Sequence, residues 1–354
     1  MLALKNISVQ AERDYLVSVG CDWVSEILRI TNGRSRVGII HTKEMRPRVQ
    51  LDSSSGTQFF YFEVPDGEGA KSFVNISRLW NLLGEAGFTR TDLIVGIGGG
   101  AVTDVAGFAA ASWLRGIDWI AVPTSVAGMV DASIGGKTGI NSEFGKNLIG
   151  AFHSPSAVLI DTSWLVTLSD RDFAAGMAEV IKCGFISESN IIELLQGKSI
   201  QTLRADSPRT LALIEAAVTI KAQVVSTDFK ESFAREVLNY GHTLGHAIEI
   251  HSRYSLRHGE AVAIGLVFAA EIACINGDLD SEIVALHRQL LASLELPITY
   301  PRAFWDELLP LLYLDKKTRG STLRLVAISS IGETHRIEGL TPAQLALAYE
   351  RISS

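Results

Sequence analysis

Leu93-Ile-Val-Gly-Ile-Gly-Gly-Gly-Ala-Val-Thr-Asp104 is an apolar run that breaks into Gly98, Gly99 and Gly100 and then into a helical pattern. Glycines at such a turn let the backbone approach a pyrophosphate, and the new helix offers free N–H groups and the positive end of its dipole. The segment therefore reads as a dinucleotide turn between a strand and a helix. A tight turn that serves packing alone is the plainer alternative, and spacing does not separate the two. Working outward, Val37–Ile40, Phe59–Val64, Trp119–Val122 and Val158–Ile160 are further short runs rich in Val, Ile and aromatics, which read as buried strands. Phe73–Glu85 sets Ile76, Leu79, Leu82 and Leu83 on one helical face, and Val102–Leu114 does the same with Val105, Phe108, Ala109 and Ser112. Strands alternating with helices predict βαβ units and a Rossmann-like, largely parallel α/β sheet.

The second half changes character. Phe173–Phe185, Asn190–Gln196, Pro208–Thr227, Phe233–His251 and Gly259–Asn276 all read as helices. Leu323–Ile328 and Thr334–Ile337 read as extended, with Ile331-Gly332 as the turn between them. A boundary before Ser169-Asp170, a helix N-cap signal, gives an α/β domain over 1–168 and a mainly α-helical domain over 169–354. The expected site is a cleft between these halves.

Composition narrows the function classes. With 32 Lys+Arg against 39 Asp+Glu, the net charge of −7 argues against a nucleic-acid or anionic-membrane surface. Cys21, Cys183 and Cys274 are too few and too scattered for a disulfide framework or a cysteine-based zinc site. The N-terminus lacks a signal-peptide pattern, and the longest apolar stretch, Ala261–Ala270, is about half a membrane span. A cytoplasmic protein is expected. Of 31 glycines, 12 fall between Gly96 and Gly150, which makes that region the first place to look for chemistry.

There, Pro123-Thr-Ser-Val-Ala-Gly-Met-Val-Asp131-Ala-Ser-Ile-Gly-Gly-Lys137-Thr-Gly-Ile-Asn141 and Gly145-Lys146-Asn147 place hydroxyls, lysines and amides in glycine-rich loops. Lysines that follow glycine among small residues suit an anion pocket, although most loop lysines are simply solvated. Further on, Arg235-Glu-Val-Leu-Asn239-Tyr-Gly-His242-Thr-Leu-Gly-His246 precedes His258-Gly-Glu260. His242 and His246 share a helical face, and three histidines within 17 residues suggest zinc ligation. No Glu follows the first His, so the H-E-x-x-H protease arrangement is absent. Hydrogen-bonded structural histidines are the alternative. In Gly176-Met-Ala-Glu179-Val-Ile-Lys182, Glu179 and Lys182 lie three apart, an intrahelical ion pair or a metal carboxylate beside a substrate cation.

Taken in order, G-G-G-x-x-x-D, V-D-x-S-x-G-G-K-T-G-x-N, G-K-N-x-x-G-A-F, A-E-V-I-K, L-N-x-G-H-T-x-G-H-A-x-E and H-G-E closely resemble the 3-dehydroquinate synthase family, a branch of the sugar phosphate cyclases, from about Val37 to Gly320. The resemblance implies a homodimeric enzyme of the shikimate pathway. It implies that NAD and a divalent metal, zinc or else cobalt, serve to convert 3-deoxy-D-arabino-heptulosonate 7-phosphate to 3-dehydroquinate and phosphate. It assigns the metal to Glu179, His242 and His258, and His246 to the substrate side. Contacts to substrate fall by the same resemblance on Arg115, Asp131, Lys137, Asn147, Lys182, Lys221, Arg235, Asn239 and Lys317. NAD contacts fall on Glu68, Lys71, Gly98, Gly99, Gly100, Asp104, Thr124, Ser125 and Lys146, with Lys137 beside them.

Two positions depart from the pattern. Where the family commonly has Thr-Asp-x-Asn after the first strand, this chain has His41-Thr42-Lys43-Glu44, which makes Glu44 the candidate for the adenine ribose. The usual Thr-Thr pair is Thr124-Ser125, which keeps the hydroxyl. The competing functions are another sugar phosphate cyclase and a metal-dependent polyol dehydrogenase of the same architecture. Arg235 and Asn239 favour the dehydroquinate synthase reading, and the intact Glu179, His242 and His258 argue against a non-enzymatic NAD-binding protein.

Overall fold

The strand that leads into the glycine turn is buried along its whole length, as a parallel strand covered on both faces must be. The computed structural model describes residues 4–51, 56–187, 189–230, 234–313 and 323–354. The chain divides into two compact units, Met1–Leu168 with Lys221–Lys230, and Ser169–Ile220 with Glu231–Ser354. The sequence reading had given all of 169–354 to the second domain, whereas Lys221–Lys230 belongs with the first unit. Phe229 packs on Phe152 there, and Ser226 Oγ accepts from the Gln10 backbone N–H at 2.9 Å.

In the first unit, strands β1 (Lys5–Val9), β2 (Tyr15–Val19), β3 (Arg36–Thr42), β4 (Gln58–Val64), β5 (Leu93–Gly98) and β6 (Asp118–Pro123) join one sheet. Beyond β7 (Lys137–Ser142) and β8 (Gly145–Phe152), which form a separate hairpin, β9 (Ala157–Ile160) completes the sheet in the order β1-β2-β9-β6-β5-β3-β4. Only β1 runs antiparallel to its neighbour within this sheet. β3 pairs with β4 on one side and β5 on the other, so the winding reverses there. The carboxyl ends of strands at such a switch point are where open parallel sheets hold ligands, and the glycine turn lies there.

The helices α1 (Trp23–Thr31) and α2 (Phe73–Glu85) start at Asp22 and Ser72, whose side chains accept from the backbone N–H three residues on. α3 (Gly100–Ser112) starts without a side-chain cap. The sequence reading took the region of β7 and β8 as loops because of its glycines. Those glycines instead let two strands touch: Gly139 pairs with Gly150, and a Cβ on Gly150 would lie 2.3 Å from the Thr138 carbonyl oxygen.

The second unit contains α4 (Asp170–Ile186), α5 (Ile191–Leu195), α6 (Ile200–Ala205) and the start of α7 (Ser207–Thr227). It continues with α8 (His242–His251), α9 (His258–Asn276), α10 (Ser281–Ser293), α11 (Trp305–Leu312), the hairpin β10 (Arg324–Ser330) and β11 (Glu333–Glu338), and α12 (Pro342–Arg351). α9 is its centre: Gly259 to Ala273 are all buried, with α4, α8, α10, α12 and β10 packed round it. An all-round apolar helix belongs in such a core. α7 and α9 are long and apolar enough to cross a membrane, but most of the apolar stretch of each is buried within the fold.

One helix from the sequence reading is two elements. Among the described residues of Phe233–His251, Ala234–Asn239 form a 3-10 turn, Gly241 turns the chain at φ +80°, and α8 begins at His242. The break lets α8 and α9 meet backbone to backbone. A Cβ on Gly265 would lie 1.9 Å from the Gly241 carbonyl oxygen, and one on Gly245 would lie 3.3 Å from that of Ala261. Gly265→Ala must push the two helices apart and should destabilise the chain by about 2 kcal/mol or more. The check is the urea midpoint of the metal-free protein, and an unchanged midpoint would show that the approach is not required.

Candidate active site

The close contacts around α9 bring three side chains to one point. Glu179 sits on α4 one turn after Ala175, and Gly259 in the first turn of α9 presses on Ala175 so tightly that a Cβ would lie 1.7 Å from its carbonyl oxygen. His258, the first residue of α9, thereby meets Glu179. Its Nε2 is 3.3 Å from Glu179 Oε1, and His242 Nε2, from the first turn of α8, is 3.5 Å from the same oxygen. One ligand atom from each residue lies within 4.8 Å of the others.

Glu260 holds this junction from the other side. Its carboxylate accepts from Arg171 Nε at 2.5 Å and Nη2 at 2.7 Å, and from the Arg257 backbone N–H at 2.8 Å. The His258-Gly259-Glu260 triplet thus supplies a ligand, a backbone contact and an ion pair in consecutive residues. Sequence reading singled out the histidine and had no signal for the other two roles.

Whether a cation fits is decided by Glu179. It is 1% exposed, and Lys182 Nζ donates to Oε2, while Oε1 has no hydrogen-bond partner. A buried carboxylate oxygen left unpaired is costly, and a metal ion satisfies it. The imidazoles are set for the same role. His242 Nδ1 donates to the Tyr240 carbonyl at 3.1 Å and His258 Nδ1 to Glu249 Oε2 at 3.1 Å, so Nε2 of each faces Glu179. Two imidazole nitrogens and one carboxylate are a zinc donor set with positions left for substrate.

The charges agree with this arrangement. Burial works to raise the Glu179 pKa, but Lys182 and the two imidazoles overcome it and hold the carboxyl well below its usual range. Burial, with Lys182 beside it, pushes His242 down to about 3, a neutral imidazole. Burial also opposes the charge on His258, yet Glu179 and Glu249 raise it to about 10, so a metal arriving there displaces a proton from Nε2.

Around the cluster, the His246 ring lies 5.3 Å from that of His242 and 6.2 Å from that of His258, and no His246 nitrogen joins the ligand set. Of the three histidines in the sequence pattern, His242 and His258 gather at Glu179, and His246 stands beside them. Arg235 is buried in the 3-10 turn before α8, and Asn239 is exposed at its end. Lys317 lies outside the described residues.

In the first unit, Thr124 N–H donates to the Gly98 carbonyl at 2.9 Å, and Ser125 Oγ accepts from Gly128 N–H at 3.2 Å. A Cβ on Gly98 would lie 2.7 Å from Val102, and one on Gly100 would lie 2.8 Å from Ala132, so packing by itself requires glycine at both positions. Gly99 differs: the nearest atom to its Cβ position is 3.6 Å away, and as N-cap it leaves the first turn of α3 without a side-chain cap. That open, uncapped turn fits a pyrophosphate.

Beside the turn, Lys71 is 3% exposed and joins Asp104 Oδ2 at 2.6 Å, Asn147 Oδ1, and Glu68 Oε1 at 4.0 Å. Asn141 closes the network, donating to Glu68 Oε1 at 2.7 Å and accepting from the Asn147 backbone at 3.0 Å. Asn147, assigned to substrate by resemblance, therefore sits in the same network as Glu68, Lys71 and Asp104. Lys221 Nζ donates to Asp131 Oδ1 at 2.5 Å, and Lys137 and Lys146 both lie on the β7–β8 hairpin. Glu44 is exposed just beyond β3, while the buried His41 holds the Thr42 carbonyl through Nδ1 and leaves Nε2 unpaired. Arg115, between α3 and β6, lies at the amino-terminal edge of the strands and so at the end of the sheet away from the glycine turn.

The comparisons with known proteins follow this geometry. A 2-epi-5-epi-valiolone synthase from Streptomyces hygroscopicus subsp. jinggangensis 5008, solved with NAD+ and Zn2+, superposes with a TM-score of 0.89 at 24% identity, covering 98% of each chain. A 2-deoxy-scyllo-inosose synthase complexed with carbaglucose-6-phosphate, NAD+ and Co2+ gives 0.83 at 24% identity, covering 98% of this chain and 100% of that one. The chain thus has the fold of the sugar phosphate cyclases. Family models described as 3-dehydroquinate synthase N-terminal and C-terminal match residues 61–175 and 176–318. The 3-dehydroquinate synthase of Thermobifida fusca (strain YX) is 47% identical over 344 residues, 96% of this chain and 94% of that protein. The chain belongs to the 3-dehydroquinate synthase family.

The Lys71 network yields a pH test. Burial raises the Asp104 pKa from 3.8 to about 6, against the opposing pull of Lys71. Because the folded state holds that proton more tightly, this contribution to stability is complete below pH 3.8 and is lost as pH rises through about 6. Asp104→Asn keeps an oxygen for Lys71 and cannot titrate. Its melting temperature relative to wild type should therefore rise between about pH 4 and about pH 7; parallel profiles would contradict the assignment.

Proposed function

We propose that the chain is a 3-dehydroquinate synthase, a phosphate-eliminating lyase that converts 3-deoxy-D-arabino-heptulosonate 7-phosphate to 3-dehydroquinate and phosphate. The observation that carries this reading is the unpaired Oε1 of buried Glu179, faced by His242 and His258, in a chain 47% identical to a 3-dehydroquinate synthase. The relatives' activity and the cofactors in the solved neighbours support NAD and zinc, with cobalt as a substitute, as the bound groups. A homodimer in the cytoplasm fits a biosynthetic enzyme of this family, with a sugar phosphate and neither nucleic acid nor membrane as its partner.

Glu179, His242 and His258 would hold the metal, and Gly99, Gly100, Thr124, Ser125, Glu68, Lys71, Asp104 and Lys146 the NAD. A metal held there would supply acidification of the substrate's C5 alcohol, and NAD would supply a reversible acceptor for the C5 hydride, so that no net oxidation results. Lys182 keeps its ammonium at Glu179 Oε2 and so presents positive charge to a substrate oxygen that becomes negative. His246, outside the ligand set yet stacked edge-on to His242, is free of the metal and suited to carry a proton. Arg235, Asn239, Lys137, Asn147 and Lys221 bind the carboxylate, hydroxyl and phosphate groups, and Asp131 orients Lys221 through their ion pair.

Incubation with the heptulosonate phosphate, zinc and less than one equivalent of NAD should release phosphate and dehydroquinate over many turnovers. A polyol dehydrogenase would instead accumulate NADH with glycerol-like alcohols and release no phosphate, and that result would overturn the proposal. His258→Ala should abolish turnover and weaken zinc retention by more than about a hundredfold, since loss of a ligand exceeds the loss of a supporting residue. Unchanged zinc content after dialysis would show the ligand set to be wrong.

A further inference from the structure

The geometry points to Glu249 as the positioning residue of the metal centre: its carboxylate orients His258 and makes that imidazole a stronger ligand. This rests on the reading of Glu179, His242 and His258 as metal ligands. His242, His246 and Glu249 occur at i, i+4 and i+7 on α8, so they share one face of that helix. Glu249 is 8% exposed, and its Oε2 lies 3.1 Å from His258 Nδ1, the nitrogen turned away from Glu179.

The backbone at Glu249 is held as well. Its carbonyl accepts from the Tyr254 backbone N–H at 2.8 Å and from Ser252 Oγ at 3.2 Å. The turn that makes these contacts passes through Arg253 at φ +50° and Tyr254 at φ +60°, left-handed conformations that are unfavourable without glycine. Such strain persists only where the surroundings over-determine it. Here the turn returns the chain from α8 so that His258 meets the Glu249 side chain.

The two imidazole ligands have unequal supports. His242 Nδ1 meets a neutral acceptor, the Tyr240 carbonyl, whereas His258 Nδ1 meets a carboxylate. The difference bears on how each ring would coordinate. Lys182 donates to Glu179 Oε2, so that pair carries no net charge. A carboxylate behind an imidazole raises the basicity of Nε2 and fixes the ring plane. Glu249 Oε2 faces Nδ1 rather than the shared ligand point, so it acts through His258 and not as a fourth ligand.

The test is zinc affinity of the full chain without substrate, read by competition with a chromophoric chelator, together with the visible spectrum of the cobalt-loaded protein. Glu249→Ala should weaken zinc binding by about 10–100-fold and shift the cobalt bands, with NAD affinity unchanged. Glu249→Gln keeps an oxygen acceptor without the charge and should fall between Ala and wild type. Glu249→Ala binding zinc within about twofold of wild type with an unshifted cobalt spectrum would overturn the inference, since a supporting carboxylate is worth at least tenfold. If the alanine variant fails to fold, Glu249→Gln decides: wild-type zinc affinity overturns the role of the charge, and weaker binding supports it. Wild-type protein that binds no zinc would overturn both this inference and the ligand set, whereas tight wild-type binding with indifferent Glu249 variants overturns this inference alone.

Discussion

The second unit is organised by backbone contact at glycine. An α-helix normally keeps its neighbours some 8–10 Å away through its side chains. At Gly259, Gly265 and Gly245 the nearest neighbours are backbone atoms, and α9 touches α4 and α8 directly. Only at that separation can a short carboxylate on α4 meet two imidazoles from the first turns of α8 and α9. The apolar surface of α9 drives the packing, and the glycines set its distance. The metal-binding geometry is therefore a consequence of core packing rather than an addition to it.

That packing leaves an electrostatic requirement. Removing a carboxylate from water costs several kcal/mol unless it is paired and hydrogen-bonded. Glu179 has Lys182 on one oxygen and the Nε2 atoms of His242 and His258 facing the other. Lys182 has a second consequence, since its charge also lowers the His242 pKa, keeping that ligand neutral and ready to coordinate. Lys71 plays a comparable part in the first unit, where one buried ammonium joins Glu68, Asp104 and Asn147 from three separate segments of the chain. In both units a buried lysine stabilises carboxylates that would otherwise be strongly disfavoured by burial.

Much of the architecture is legible in the sequence because burial leaves short apolar runs and helical segments. β3, β4, β5, β6 and β9 carry the runs, α2 carries a one-faced helical period, and α9 shows as one long apolar stretch. β1 and β2 do not stand out: Lys5 and Asn6 lie exposed on an edge strand, which hides the alternation. The hairpin of β7 and β8 is hidden for the opposite reason, because glycine marks turns and also marks backbones that touch. The same ambiguity affects the dinucleotide turn. Packing requires glycine at 98 and 100, and Gly99 leaves the surface open, a distinction that needs the positions of Val102 and Ala132.

The site residues show where spacing stops being informative. His242 and His246 are adjacent on a helix face, and local geometry alone would pair them on a metal. The residue that joins His242 at Glu179 is His258, brought back by a turn through two left-handed residues that carry no glycine signal. Glu249 lies on the same face as both α8 histidines, yet its role depends on where His258 arrives. A helix face specifies a set of side chains, and tertiary packing selects which members act together. In H-G-E, three consecutive residues supply a ligand, a contact distance and an ion pair. Moving the chain by one residue would therefore lose all three together, and for that reason the triplet behaves as one physical unit.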